Sequence, residues 1–255
     1  MASPTVDLVE GRAGDDPALD LALAPALLAR VAAGVRPPLV RVYRPWPTVA
    51  FGRRDSFLPG FAQATAGAER HGFAPVIRSA GGRAAAYHED CLVIEEIVAS
   101  ADATAGIQDR FAGEAESQAQ ALRELGVDAR VGPVPGEYCP GEFSVNARGQ
   151  SKLIGAAQRI IRGAWLFSSV VVVDGSARLR AVLEDVYAAL ALDWDSASVG
   201  AIADERARLS VSEVQDALLG AAAARYRLAP ARLSADDLTA GRELLGRHRV
   251  ARAYG

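Results

Sequence analysis

The stretch from 143 to 173 constrains the fold of this 255-residue chain more than any other part of the sequence. It holds three runs rich in apolar and β-branched residues, separated by short turns that contain Gly149 and Gly163. The runs are FSVNA (143–147), LIGAAQRII (153–161) and WLFSSVVVV (165–173). Consecutive strands joined by short turns pair in antiparallel fashion. The sequence therefore predicts an antiparallel meander.

Further strands and helices are predicted on both sides of this meander. Apolar residues recur at spacings of three and four from Ile107 to Leu125, and Gly126 ends the run, which predicts an amphipathic helix. Other strands are predicted at 5–10, 39–43, 48–52, 75–79, 84–88 and 91–99, and other helices at 18–33, 60–71, 177–190, 212–226 and 235–248. The predicted fold class is α+β, with helices against one face of a largely antiparallel sheet. Residues 1–175 are expected to form a catalytic domain, and 176–255 a helical C-terminal extension packed on it.

Composition excludes several classes of function. The net charge of −3 and the lack of a basic block argue against nucleic acid as a partner. No apolar run approaches the roughly 20 residues that a membrane-spanning helix needs. The acidic N-terminus lacks the layout of a signal peptide, so a cytoplasmic location is expected. The two cysteines and three histidines show no metal-ligand spacing, and no metal is expected.

Lys152 is the only lysine among the 28 basic side chains of the Lys and Arg types. Arginine replaces lysine readily wherever a solvated positive charge is all that is needed. It cannot replace a lysine whose proton takes part in chemistry, because the guanidinium stays charged at any working pH. Lys152 is therefore a candidate catalytic residue, and chance retention is the alternative.

The first candidate site segment is RSAGGRA, from Arg78 to Ala84. Paired glycines beside a strand let the backbone approach a ligand and present N–H groups to a carbonyl or phosphate. Arg78 and Arg83 add positive charge on either side. A plain hairpin turn with two solvated arginines is the alternative interpretation.

The second and third segments contain a cysteine and the lysine. Cys91 opens the apolar run CLVIEEI and is expected to be a buried core residue. Cys139 instead lies in the loop GEYCPGE, and a thiolate exposed beside a cation is a good nucleophile toward thioesters. Lys152 follows 13 residues later, and a hairpin between 143–147 and 153–161 would bring both to one rim of the sheet. The lysine could then steady the thiolate, bind an acyl carbonyl or deprotonate an incoming amine.

Together these segments resemble the family of lipoate-protein ligases and octanoyltransferases, which is related in fold to biotin-protein ligases. The similar stretches are RPWPTVAFGRRD (44–55), RSAGGRAAAYH (78–88) and KLIGAAQR (152–159), in the family's order. GEYCPGEFSV (136–145) is similar to a loop in the octanoyltransferase branch that exchanges acyl groups between lipoyl-domain proteins. In that branch the loop cysteine precedes the lysine motif. The resemblance covers about residues 20–175.

The resemblance implies an acyltransferase that moves an octanoyl or lipoyl group from a carrier protein to a lysine of a lipoyl-domain protein. Cys139 would carry the acyl group as a thioester, and Lys152 would be the second catalytic residue. The implied substrate-binding residues are Arg78, Ser79, Gly81, Gly82, Arg83, His88, Gly155, Ala156, Ala157 and Gln158. No cofactor is required. The implied partners are the glycine-cleavage H protein or 2-oxoacid dehydrogenase subunits, with acyl carrier protein as an alternative donor.

Two other functions fit the same segments. An ATP-dependent lipoate ligase would bind an acyl-adenylate at Arg78 and the glycine turn, and it would be indifferent to loss of Cys139. A non-catalytic protein that binds an acyl group or docks a partner would need neither Cys139 nor Lys152, so the presence of both counts against it.

Overall fold

The computed structural model describes residues 3–250. The strands are β1 (Thr5–Glu10), β2 (Leu39–Tyr43), β3 (Thr48–Phe51), β4 (Ala74–Ile77), β5 (Ala85–Tyr87), β6 (Cys91–Ala99), β7 (Ala129–Val131), β8 (Val145–Ala147), β9 (Ser151–Ile161), β10 (Ala164–Val172) and β11 (Arg227–Ala231). The helices are α1 (Pro17–Ala32), α2 (Phe61–Arg70), α3 (Ile107–Glu124), α4 (Ser176–Ala189), α5 (Ile202–Glu205), α6 (Val211–Ala223) and α7 (Ala235–His248). The α+β prediction is confirmed.

The main sheet has eight strands in the order β11-β1-β2-β6-β10-β9-β8-β7. The predicted meander is confirmed, because β8, β9 and β10 pair antiparallel in sequence order. The neighbours β6 and β2 continue the antiparallel pattern. At the far edge, β1 pairs in parallel with both β2 and β11, so the sheet is mixed.

Two strands were missed by the sequence analysis. β7 has three residues, and β11 reads RLAPA and lies between the helices predicted at 212–226 and 235–248. Neither has the apolar alternation that marks a strand from sequence. Proline is tolerated in β11 because this strand lies at the edge of the sheet. The C-terminal extension is therefore not purely helical: it adds a strand to the main sheet, while the boundary at 175 stays a prediction.

Helices cover both faces of the main sheet, whereas the sequence predicted one. On one face, Leu23 and Leu27 of α1 pack with Ile97 and Leu166. On the other face, α3 and α6 form a second apolar cluster with β6 and β10, to which Leu122 of α3 belongs. Successive side chains of a strand point to opposite faces, so Leu39 of β2 joins the first cluster and Val40 the second.

A second sheet of three strands, in the order β4-β3-β5, lies apart from the main sheet. Both β4 and β5 pair with β3 and not with each other. The segment from Arg78 to Ala84 is therefore a loop that passes over the end of β3, and the plain hairpin alternative is wrong. α2 and α4 pack on this small sheet through residues such as Ala68, Leu179 and Leu183.

Candidate active site

A cavity of about 480 Å³ opens between the main sheet, the small sheet and the start of α3. Its walls are largely apolar, and its volume falls in the range of small-molecule sites. Residues 78–82 line one side, Cys139 and its loop line another, and Lys152 and residues 155–158 of β9 line a third. The structure therefore brings all three candidate segments to one cavity.

The backbone of Cys139 is held in an unusual conformation. Its φ is +43°, in the left-handed region that a cysteine rarely adopts. The N–H of Cys139 donates a hydrogen bond to Oη of Tyr187 at 2.7 Å, and the Tyr187 hydroxyl donates to the carbonyl of Ala84 at 2.9 Å. Such strained residues persist where the surroundings fix them, and they concentrate at functional sites.

The Cys139 thiol lies beside positive charge. Nη2 of Arg78 is 3.2 Å from Sγ, and the backbone N–H of Arg83 acts in the same direction on the pKa of the thiol. Burial acts to raise the pKa of the Cys139 thiol, but the charges of Arg78 and Lys152 and these hydrogen bonds outweigh it. The net result is a lowered pKa, which favours the nucleophilic thiolate.

Gly82 is required by this packing. Its φ is +102°, and an added Cβ would lie 2.7 Å from Sγ of Cys139 and collide with the guanidinium of Arg78. The neighbouring Gly81 has open space around the same position. Gly52 lies under the loop, where a Cβ would overlap the carbonyl of Gly82. The close approach of loop and thiol therefore depends on Gly82 and Gly52, and not on Gly81.

The side chain of Lys152 binds the backbone of the Cys139 loop and the carboxylate of Glu137. Its Nζ is 2.9 Å from Oε2 of Glu137 and donates to the carbonyls of Cys139 at 2.8 Å and Tyr138 at 3.2 Å. An ammonium has three N–H donors, so these three oxygens engage all of them. The predicted meeting of Cys139 and Lys152 is present, but the lysine contacts the loop backbone while Arg78 contacts the sulfur.

Glu137 completes this anchor. Its carboxylate accepts hydrogen bonds from the Ser144 hydroxyl at 2.7 Å and from the backbone N–H groups of Gly141 and Val134 at 3.2 and 3.3 Å. Glu137 and Lys152 are 3% and 2% exposed, so the pair is shielded from water. Gly155 leaves room for the lysine, because a Cβ there would lie 2.8 Å from Cε of Lys152.

The remaining residues of the third segment shape the cavity. Gly155, Ala156 and Ala157 line it with little side-chain bulk. Gln158 donates to the carbonyl of Ile107 at 2.9 Å and accepts from Nε of Arg110 at 3.0 Å. It thereby fixes the start of α3, from which Ile107 and Phe111 reach into the cavity.

Two predicted binding residues lie outside the cavity lining. The Arg83 side chain turns away and pairs with Asp55 at 3.1 Å, although its backbone N–H helps to lower the pKa of the Cys139 thiol. His88 is 1% exposed, and its Nδ1 accepts a hydrogen bond from the N–H of Asp90 at 3.1 Å. Its Nε2 is 3.4 Å from the carbonyl of Gly175. Both side chains hold loops in place in this structure. Of the predicted site residues, Ser79 also lines the cavity, and its carbonyl accepts from Arg159 at 2.9 Å.

Sequence analysis missed three contributors to the site. Tyr187 belongs to α4, 48 residues beyond the cysteine, and no local signal marks it. Glu137 lies two residues before Cys139, and an acidic residue in the same Gly/Pro loop as the candidate thiol is the signal that could have found it. Asp55 is fully buried and positions both Arg83 and the N–H of Gly52.

Within residues 3–250, no helix combines the length and apolarity needed to cross a membrane. Over the same range, no cluster of three or more His, Cys, Asp or Glu side chains has the arrangement of a metal site.

This chain is similar to known proteins whose names describe transfer of an octanoyl or a lipoyl group. The chain is 30% identical over 158 residues to the octanoyl-[GcvH]:protein N-octanoyltransferase of Geobacillus kaustophilus, covering 62% of this chain and 56% of that protein. It is 31% identical over 178 residues to the protein of the same name from Anoxybacillus flavithermus, covering 70% and 60%. It is 24% identical to the lipoyl-[GcvH]:protein N-lipoyltransferase of Listeria monocytogenes, covering 72% and 63%. The chain thus spans under two thirds of the length of these relatives.

Solved structures share the whole fold. A lipoate-protein ligase A bound with ATP superposes with a TM-score of 0.74 at 21% identity, covering 96% of this chain and 95% of that one. A chain from the structure of a bi-partite lipoate protein ligase and its E2 lipoyl domain from Thermoplasma acidophilum gives 0.74 at 22% identity, covering 96% and 93%. The family described as lipoyl protein ligase A/B catalytic domain matches residues 16–223. Because that match extends over most of the sequence, the chain belongs to the lipoyl protein ligase A/B catalytic domain family.

Proposed function

We propose that this protein is an acyltransferase that carries an octanoyl or lipoyl group as a thioester on Cys139. The acyl group passes from a carrier protein, such as the glycine-cleavage H protein, to a lysine of a lipoyl-domain protein. The observation that carries the proposal is the thiol of Cys139, which lines the cavity with a lowered pKa and lies 3.2 Å from Arg78. The names of the relatives, which specify transfer from GcvH, support the same reaction.

The first half of the reaction acylates the enzyme. The Cys139 thiolate attacks the acyl carbonyl carbon of the donor, a C–S bond forms, and an electron pair moves onto the carbonyl oxygen. The N–H groups of Arg78 and of the backbone near Gly82 are the donors available to that oxyanion. Collapse of the tetrahedral intermediate breaks the C–N bond to the donor lysine, whose amine leaves with a proton from water. With acyl carrier protein as donor, a C–S bond breaks instead.

The second half returns the thiolate. The neutral amine of the acceptor lysine attacks the thioester carbonyl, a C–N bond forms, the C–S bond breaks, and the amine releases a proton. No oxidation state changes, and no nucleotide enters the balance. Lys152 uses its three donors on the Cys139 loop, so its first role is to hold the nucleophile in place. For Lys152 to accept a proton from the acceptor amine, its contacts with the Cys139 loop must first break, and this second role is a hypothesis.

Intact mass spectrometry tests the proposal directly. The protein is mixed, without ATP, with octanoyl-loaded H protein and separately with octanoyl-loaded acyl carrier protein. We expect an octanoyl adduct that hydroxylamine removes, that is absent from Cys139→Ala and that is retained by the matched control Cys91→Ala. The donor that produces the adduct identifies the acyl source.

Two results would overturn this function. An adduct that persists in Cys139→Ala would place the acyl group elsewhere. No adduct from either donor, followed by transfer once octanoate and ATP are supplied, would establish the ATP-dependent ligase instead.

A further inference from the structure

The floor of the cavity carries a group of polar side chains that the transfer chemistry does not use. Here the polar floor means Tyr43, Tyr87, Glu95 and Ser168, which all line the cavity. Tyr43, Tyr87 and Glu95 are 3%, 4% and 3% exposed. They come from β2, β5, β6 and β10, so four strands of two sheets converge on this point.

Most polar atoms of this floor have no hydrogen-bond partner among residues 3–250. Oε2 of Glu95 accepts from Nη1 of Arg41 at 3.3 Å, but Oε1 makes no hydrogen bond within residues 3–250. The hydroxyls of Tyr43, Tyr87 and Ser168 likewise have no hydrogen-bond partner in the described part of the chain. Buried polar groups are almost always hydrogen-bonded, by protein, water or ligand. Tyr43, Tyr87 and Glu95 are buried residues and Ser168 is half-buried, and all four line the cavity. Their polar atoms without a protein partner therefore point to an occupant of the cavity, water or ligand, that bonds to them.

The sheet register places the floor beyond the thiol. Gly155, against which the Lys152 side chain lies, pairs with Val170 of β10. Two residues farther along, Ser168 pairs with Ala157 on one side and with Glu95 on the other. Two strand residues span about 7 Å, which is also the length of about six bonds of an extended chain. An acyl group whose carbonyl lies near Cys139 would bring its distal half against the polar floor.

An unsubstituted chain would fit this floor poorly. Its methylenes would displace water from the three hydroxyls and from Oε1 of Glu95 and leave these atoms unbonded, which costs binding free energy. Burial, opposed by Arg41, raises the pKa of Glu95 to about 7. The side chain therefore exchanges between donor and acceptor near neutral pH. Tyrosine and serine hydroxyls also serve as either, so the floor suits a thiol, sulfide, hydroxyl or oxo group.

We infer that the polar floor selects an acyl chain that carries a hydrogen-bonding substituent near its sixth carbon, over a plain octanoyl chain. A lipoyl group, with sulfur on the sixth and eighth carbons, belongs to the favoured class. The inference rests on the proposed function for the identity of the acyl group, and it assigns Tyr43, Tyr87, Glu95 and Ser168 as specificity-determining residues.

Binding of two matched amides tests this inference without any transfer. N-butyl octanamide and N-butyl 6-hydroxyoctanamide share the amide of an acyl-lysine and differ by one hydroxyl. Isothermal titration of the wild-type protein should give a Kd about 10-fold or more lower for the hydroxylated amide, because one satisfied hydrogen bond in a buried site is worth that factor.

Substitutions in the polar floor test which side chains cause the preference for the hydroxylated amide. Tyr43→Phe combined with Ser168→Ala removes two hydroxyls and should bring the two Kd values within about 3-fold of each other. Glu95→Gln retains the side-chain shape and an oxygen for Arg41, and should reduce the preference less. Tyr226→Phe is the matched control, because that hydroxyl lies 3.4 Å from Glu96, outside the cavity lining. It should leave the preference unchanged.

Four outcomes would overturn the inference. They are undetectable binding of the hydroxylated amide, equal or tighter binding of the plain amide, an unchanged preference in Tyr43→Phe/Ser168→Ala, and an equal loss of preference in Tyr226→Phe. None of these results depends on a Cys139 adduct, so failure here is distinguishable from failure of the transfer mechanism.

Discussion

Cys91 and Cys139 are both enclosed by protein, yet the charges around their thiols are opposite. Cys91 opens β6 in the core, and burial raises the pKa of its thiol to about 12, with Asp90 and Glu89 contributing in the same direction. Burial opposes ionisation of Cys139 too, but Arg78 and Lys152 face it and the pKa of its thiol is lowered. Burial by itself would make both cysteines inert. The cations that the fold brings to Cys139 account for the difference.

The largest expected effect is a contrast in alkylation between the two cysteines. At pH 8, iodoacetamide should modify Cys139 of the folded protein faster than Cys91 by a factor on the order of 10³ or more, because each unit of pKa separation changes the thiolate fraction about tenfold. Peptide mapping of the alkylated protein measures both rates. Cys91 should react at an ordinary rate only after unfolding in guanidinium chloride. Comparable alkylation rates of Cys91 and Cys139 in the folded protein would contradict the proposed difference between the two thiols.

The next effect concerns the cation that faces the sulfur. Burial raises the pKa of the Cys139 thiol, and the charge of Arg78 opposes this effect. In Arg78→Ala that charge is absent, so the pKa should rise to or above the ordinary cysteine value of about 8.5. Thiolate forms as pH rises through the pKa, so the alkylation rate of the variant should reach half its plateau at a higher pH than that of the wild type. At pH 7 the rate should fall about tenfold or more.

Arg54→Ala, which removes an exposed arginine from the same half of the chain, is the matched control and should retain the wild-type pH profile. A midpoint that stays in place in Arg78→Ala would assign the lowered pKa to Lys152 and the backbone instead.

The smallest effect compares two adjacent glycines. Gly82→Ala forces a Cβ toward Cys139 and Arg78 at a φ of +102°, which should destabilise the protein by about 1–3 kcal/mol and slow alkylation of Cys139. Gly81→Ala places its methyl group in open space and should change neither property measurably. Urea unfolding and the alkylation rate give the two readouts. Equal behaviour of the two variants would contradict the close packing of the loop on the thiol.

Elements with strong local patterns were predicted well from the sequence. The strand at 91–99 and the helix from Ile107 agree with β6 and α3, because a long apolar run or a sustained period of three and four is encoded within the element itself. β11 and β7 carry no such pattern, since each is short and is held in the sheet by its partners. The three-stranded sheet was missed for the same reason: its order depends on pairing between distant segments.

The contacts of the candidate site also fall into those that the sequence predicted and those that it did not. The hairpin of β8 and β9 made the meeting of Cys139 and Lys152 predictable over 13 residues. Arg78 at the sulfur is 61 residues away from Cys139, and Tyr187 at its N–H is 48 residues away. His88, grouped with the binding residues by its motif, lies outside the cavity lining. Its place beside Asp90 follows from the turn between β5 and β6.

The sequence alone determined the α+β class, the meander and the family resemblance, and it was enough to propose Cys139 and not Cys91 as the reactive thiol. Tertiary structure decided which cation faces the sulfur, that Lys152 holds the loop, and that the cavity has a polar floor. The physical reason is that secondary structure follows from residues a few positions apart, whereas a pKa or a pocket depends on charges and polar groups that act through space. Residues distant along the chain reach those distances only after folding.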